Sequence, residues 1–225
     1  MFPFFHVRSL LYFYLTNLTS MAIDNFDQIR ELLDFSEPNT FYFIQILKRR
    51  KENPEMRTGV RVINNYYVYE LDDLNKLREK ILDDCEKHNA RAYINLNRLD
   101  LEKIALHTMK QITEYILQKD FKAVKNAYST ACGNHHSQND KRWIVDIDEE
   151  FVEQKEMIKK VIEELHTEIK GSNYKILAEI KTKSGFHIIT NPFNLDKFKK
   201  DKRLFFFSGD NLVHKNSPTL LYVNN

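Results

Sequence analysis

Cysteine is nearly missing from this 225-residue sequence. Cys85 and Cys132 are the only two, and they form neither a C-x-x-C zinc spacing nor the closely spaced even set of a secreted disulfide framework. So little cysteine suits a reducing compartment, which makes the cytoplasm the expected location, the host's if the source is viral. Glycine and proline are also scarce, at 5 each beside 42% hydrophobic residues, and this excludes collagen-like, mucin-like and generally disordered chains. Charge of one sign is not in excess: 34 Lys and Arg against 32 Asp and Glu leave +2. Bulk charge therefore announces neither a nucleic acid nor a membrane, and any such partner must meet a local patch. No run reaches the ~18–20 apolar residues of a membrane-spanning helix, so no membrane partner is expected. A G-x-x-x-x-G-K-[ST] loop is missing as well, so helicase activity would have to come from a separate chain.

Residues 10–15 (LLYFYL) form an apolar run behind the single Arg8, without the basic n-region or A-x-A site of a signal peptide. The stretch from Met21 (MAIDNFDQIRELLDF) begins like an ordinary amphipathic helix. Residues 1–20 are therefore expected to be a dispensable leader or a misassigned start.

The rest of the chain reads as an N-terminal α/β subdomain over 21–135 and a second subdomain over 136–225. In the first, residues 27–35 read as a helix and 40–48 (TFYFIQILK) as a strand, followed by the basic turn Lys48, Arg49, Arg50 and Lys51. Residues 60–70 (VRVINNYYVYE) look like two short strands around an Asn-Asn turn. Helical spacing marks 71–86, then 91–95 (RAYIN) is a strand, and 100–127 is a helix with Leu101, Ile104, Ala105, Met109, Ile112 and Ile116 on one stripe and Asp100 as N-cap. The polar stretch 129–141 reads as the break between subdomains. Beyond it come strand 142–148 (RWIVDID), helix 149–170, strand 174–181, a turn at Lys183-Ser184-Gly185, strand 186–190 (FHIIT), helix 194–202, and strand candidates at 204–207 and 219–223. That order, βαββαβ, is the split βαβ arrangement, and the fold class is α+β.

Chemistry concentrates in this second half. Asp146 and Asp148 lie two apart on an otherwise apolar strand, so period two puts both carboxylates on one face, about 6–7 Å apart. Such a pair repels itself unless it sits in solvent or shares a divalent cation, and hard oxygen donors at this spacing suit Mg²⁺ or Mn²⁺. A strand end leading into the acidic first turn of a helix is the plainer alternative. Lys181, Lys183, Ser184, Gly185 and His187 (KTKSGFHIIT) form an anion-binding composition on a strand-turn-strand. His187, between Phe186 and Ile188, faces away from both; the alternative is a structural histidine. In the first half, Arg91, Tyr93, Asn95, Asn97 and Arg98 combine cations with stacking groups, making Arg91 and Arg98 candidates for nucleic-acid contact. The basic turn 48–51 could track a phosphate backbone or simply be exposed. Cys132 with His135 and His136 has no fourth ligand at metal spacing and is not read as a zinc site.

WIVDID, then KTKSGFHIIT about forty residues on, then an acidic residue before LLY, resemble the archaeo-eukaryotic primase superfamily, the primase-polymerases, with the Lys, Asn and Ile content of a phage or mobile element. The resemblance covers mainly residues 141–225 and implies an RRM-like catalytic subdomain with three motifs: a strand-borne D-x-D, a small-residue-x-His and a final carboxylate. Asp146 and Asp148 match the first motif, and Ser184 to His187 the second. Asp210 stands where the third is expected, although Gly209 replaces a hydrophobic residue there, and Asp201 is the fallback. The resemblance implies a template-directed nucleotidyltransferase acting on a DNA template and nucleoside triphosphates, with two Mg²⁺ or Mn²⁺ ions held by Asp146, Asp148 and Asp210. Lys181, Lys183, Ser184, Gly185, His187 and Lys215 would then contact nucleotide. The alternatives are a non-catalytic nucleic-acid-binding replication accessory and a metal-dependent nuclease.

Overall fold

The structure is a computed structural model that describes residues 22–134, 141–166, 175–207 and 212–224. Residues 1–20 and Asp210 lie outside the described residues, as do His135 and His136.

The protein is α+β, with two antiparallel sheets and six α-helices among the described residues. The first sheet takes strands β1 (Ile23–Asp24), β2 (Thr40–Arg49), β3 (Val60–Val68), β4 (Arg91–Asp100) and β9 (Thr219–Val223) in the order β1-β9-β4-β2-β3. Helices α1 (Phe26–Arg30), α2 (Leu71–His88), α3 (Leu101–Leu117) and α4 (Ala127–Asn134) belong to this part of the chain. The second sheet takes β5 (Trp143–Asp148), β6 (Ile176–Thr182), β7 (Gly185–Thr190) and β8 (Val213–His214) in the order β6-β7-β5-β8. It carries helices α5 (Lys155–Glu164) and α6 (Leu195–Lys200). From β5 to β8 the chain runs strand, helix, strand, strand, helix, strand.

Alternation along β5 and β7 divides the second sheet into two faces. Trp143, Val145, Ile147 and Ile188 pack with Ile158, Val161 and Ile162 of α5 and Phe198 of α6. Ile144, Ile189 and Ile180 turn the other way and share a core with Ile44, Ile94 and Tyr222 of the first sheet. Buried asparagines fasten the sheets where apolar side chains cannot. Asn97 donates to the carbonyls of Arg142 (3.2 Å) and Lys215 (3.0 Å) and accepts from the Arg142 N–H at 2.6 Å. Asn25 donates to the carbonyls of Lys181 (3.0 Å) and Leu220 (2.9 Å).

Several boundaries differ from those read in the sequence. β3 is continuous through Asn64 and Asn65, because both amides are satisfied within the ladder's surroundings: Asn64 donates to Asp84 at 3.0 Å and Asn65 accepts from Gln45 at 3.2 Å. The hairpin turn falls instead between Arg49 and Val60. The expected break at 129–141 begins as helix α4, whose Ala131 and Cys132 are buried against Phe41 and Leu99. Asp100 does cap α3, accepting from the Lys103 N–H at 3.1 Å, but of the expected stripe only Ile104 is buried, and Met109 and Ile116 are exposed. Residues 204–207 belong to a 3₁₀ segment (Lys202–Phe207), not a strand. The fourth strand of the second sheet is the two-residue β8, too short to leave a period in the sequence. The strand at 219–223 does form, but it pairs with β4 and β1 of the first sheet. A division at 135/136 therefore separates the chain but not the sheets, since the last strand returns across it.

Candidate active site

Asp146 and Asp148 share the face of β5 that carries Ile144, and the register of β5 with β7 sets Asp146 opposite His187 and Asp148 opposite Gly185. β6 continues the row, with Ile180 opposite His187 and Thr182 opposite Gly185. Alternation alone thus brings two carboxylates and an imidazole together on two adjacent strands.

Gly185 makes the close approach possible. Its φ is +150°, and a Cβ there would lie 1.9 Å from the Ile147 carbonyl oxygen. No side chain fits, so the β6–β7 turn can seat Ser184 beside the acidic end of β5 only through glycine.

The imidazole of His187 is held at both nitrogens. Nε2 lies 3.4 Å from Asp146 Oδ1, and Nδ1 lies 2.8 Å from Oγ1 of the fully buried Thr219. A carboxylate only accepts, so Nε2 carries a proton. Asp146 has a lowered pKa: the His187 hydrogen bond is the largest cause, the charges of His187 and His214 add to it, and desolvation opposes it.

These groups form one wall of a cleft of about 380 Å³, within the roughly 300–1,000 Å³ of small-ligand sites. Asp146, Asp148, Thr182, Ser184, His187 and His214 come from the second sheet, and Arg49, Lys51, Arg91 and Tyr93 come from the first. Ser217 and Pro218 close it between β8 and β9. On the basic wall, the Tyr93 hydroxyl accepts from Arg49 at 3.3 Å and from Arg91 at 3.4 Å. Arg91 also pairs with Glu52.

Asp146, Asp148, Ser184, His187 and Arg91, all expected from sequence, therefore meet at one cleft, and Gly185 shapes it. The others lie elsewhere. Lys181 points to the helix side of the sheet, opposite Phe186, and Lys183 is an exposed turn residue. Lys215 sits over the Trp143 ring at 4.9 Å. Arg98 is 5% exposed and forks onto Asp34 (3.3 Å) and Glu37 (3.1 Å), which makes it a structural cation holding the β1–β2 connection. Asp201, the fallback for the third carboxylate, is bound to Arg203 at 2.8 Å, and that pairing lowers its pKa to about 2. Among the described residues no group of three or more His, Cys, Asp or Glu side chains is placed to hold a metal ion. Asp146 and Asp148 provide two, and Asp210 lies outside the described residues.

From sequence, Arg49 and Lys51 stood open between tracking a phosphate backbone and simple exposure, and Tyr93, His214 and Thr219 had no committed role. The alternation of β4 was a usable signal for Tyr93, two residues from Arg91 on the same face. Thr219 carried none, because its partner is 32 residues away. No protein-family model, curated protein or solved structure matches the chain. No helix among the described residues is long and apolar enough to cross a membrane, and both cysteines are buried and unpaired.

Proposed function

We propose that the protein is a template-directed nucleotidyltransferase of the primase-polymerase kind. The observation that carries this reading is the facing of two walls across one cleft. Asp146, Asp148 and His187 stand in register on one side, and Arg49, Lys51 and Arg91 on the other. A polyphosphate fits such a site, since cations receive its oxygens while paired carboxylates take the ion that accompanies it. The strand order β6-β7-β5-β8 through a strand-helix-strand-strand-helix-strand path also supports an RRM-like platform.

The donor set fits a hard divalent ion. Asp146 and Asp148 expose carboxylate oxygens on one strand face, and Mg²⁺ is commonly held by one or two carboxylates with the remaining positions filled by water and substrate phosphates. Such an ion, when bound, lowers the pKa of an attacking 3′-hydroxyl and offsets charge at the α-phosphate. The chain's own groups do the rest. His187, steered by Thr219, presents Nε2–H at the mouth of the acidic pair, and its 3.4 Å contact with Asp146 is long enough to be exchanged for a phosphate oxygen. Arg49 and Lys51 hold phosphate from the far wall, and Tyr93 offers a ring for a base.

Metal-dependent incorporation of a labelled nucleotide onto a primed DNA template tests the proposal. Incorporation that requires Asp146 and Asp148 supports it; strand degradation without nucleotide would identify a nuclease instead. A second reading, a nucleic-acid-binding accessory without catalysis, draws on the lack of a third acidic ligand among the described residues. It requires template binding with no incorporation under Mg²⁺ or Mn²⁺.

A further inference from the structure

The β2–β3 hairpin concentrates charge in a way the rest of the chain does not. Between Lys48 and Arg61 lie six cations and two carboxylates, an excess of four, whereas the whole chain carries only +2. Both carboxylates are already matched, Glu52 to Arg91 and Glu55 to Lys48 at 3.2 Å. Arg50, Lys51, Arg57 and Arg61 are exposed and pair with no acidic side chain among the described residues. Lys48 stands directly opposite Arg61 in the ladder, and Glu55 offsets the charge on Lys48, which leaves Arg61 as the open half of a like-charge pair.

The hairpin is built rather than loose. Buried Asn53 donates to the carbonyls of Arg49 (3.0 Å) and Asn89 (3.1 Å), and the Arg50 N–H donates to the Gly59 carbonyl at 2.9 Å. Its cations divide between two surfaces. Arg49 and Lys51 line the cleft, while Lys48, Arg57 and Arg61 line a second groove with Met56, Thr58 and Glu55, the last of these already paired with Lys48.

We infer that this hairpin is the track along which a single nucleic-acid strand leaves the cleft, its phosphates passing from Arg49 and Lys51 over the tip to Arg57 and Arg61. Exposed cations without a shaped base pocket suit a backbone read by charge, independent of sequence. The inference rests on the proposed function for what the cleft holds, but its strand-binding readout needs neither nucleotide nor metal.

Binding of a fluorescent single-stranded oligonucleotide is measured across a salt series for the full chain and for Arg57→Gln/Arg61→Gln. Losing two phosphate contacts should weaken binding about tenfold at low salt and reduce the slope of log affinity against log salt by about 1.4. Arg57→Lys/Arg61→Lys should restore most of both, which separates charge from fold. Mn²⁺-dependent thermal stabilisation, governed by Asp146 and Asp148, should be the same in all three proteins. Unchanged affinity and slope in the glutamine variant would overturn the track. So would binding of polyglutamate without binding of the oligonucleotide, which would assign the hairpin to an acidic protein. Strand binding that depends on the hairpin in a protein showing no nucleotide incorporation would leave the track standing and defeat the catalytic reading alone.

Discussion

The acidic and basic walls of the cleft are held in place by different means. The acidic wall rides on β5 and β7, whose register runs without a break from Trp143 opposite Thr190 to Asp148 opposite Gly185. Backbone hydrogen bonds fix the strand positions of Asp146 and His187, and Thr219 then orients the imidazole. The basic wall gathers residues from the end of β2, the turn after it and β4, across ladders interrupted at Ile46/Leu47 and Ala92/Tyr93. Side chains finish the job there: Arg91 to Glu52, Arg49 to Tyr93, Asn53 to Asn89. A wall placed by backbone tolerates changes to its functional side chains without losing shape. A wall placed by side chains cannot separate the two so cleanly.

The comparison is broken most sharply at the carboxylates. Asp146→Asn/Asp148→Asn should remove nucleotide incorporation by roughly a thousandfold or more, the several kcal/mol that metal-assisted charge stabilisation supplies. The melting temperature should change little, because relieved repulsion between the two carboxylates offsets the lost His187 pair and neither side chain is buried. Mn²⁺ should no longer raise it. Retained incorporation in the double variant sinks the catalytic proposal.

Gly185→Ala attacks the same wall through its backbone. With Ile147 O only 1.9 Å from the new Cβ and φ at +150°, strain and forced displacement should together cost about 2–5 kcal/mol, read as a lowered urea midpoint. If alanine leaves the midpoint unchanged, the close approach of the turn to β5 is wrong.

The same contrast explains what the sequence disclosed. Asp146, Asp148 and His187 were legible because strand period two and a short turn leave little freedom in how β5 and β7 meet. Arg49 and Lys51 were not, since a basic turn looks the same whether it faces solvent or a cleft, and the partner of Arg49, Tyr93, comes from another strand. Lys181 misled because a lysine-rich segment was read as a unit, although alternation already places Lys181 and Thr182 on opposite faces. Arg98 misled for a different reason: its destination, Asp34 and Glu37, follows from how the chain enters β2. The return of β9 to the first sheet could not be read at all, as nothing in residues 219–223 names the sheet they join.

Substitutions at His187 sharpen the comparison, because this side chain lines the cleft and yet is only 13% exposed. His187→Ala should lower nucleotide affinity roughly ten- to a hundredfold, for a lost charge-assisted hydrogen bond of about 1.5–3 kcal/mol. Stability should also fall by about 1–3 kcal/mol, since the buried Thr219 hydroxyl loses its partner. Thr219→Val removes the bond without orphaning that hydroxyl and should keep most of the nucleotide affinity. Equal affinity losses in the two variants would show that the imidazole acts only through its placement by Thr219.

The smallest effect lies on the acid limb of stability. Asp146 is held below the usual carboxylate pKa, chiefly by the hydrogen bond from His187. A carboxyl with a depressed folded-state pKa binds protons more weakly in the native chain than in the unfolded one. It therefore contributes stability above the unfolded value, about 3.9, and that contribution fades as pH falls through the lower folded value. Asp146 is 40% exposed, so solvent screens the pair and its worth at neutral pH should stay within about 0.2–1 kcal/mol. Urea midpoints of the native chain and His187→Leu, followed from pH 6 to pH 3, should draw closer as the acid limb is descended, because the leucine variant has no donor to depress Asp146. If the gap between the two instead stays constant over that range, the His187–Asp146 bond does not hold the proton off Asp146, and the acidic wall owes its charge to solvent rather than to its neighbour on β7.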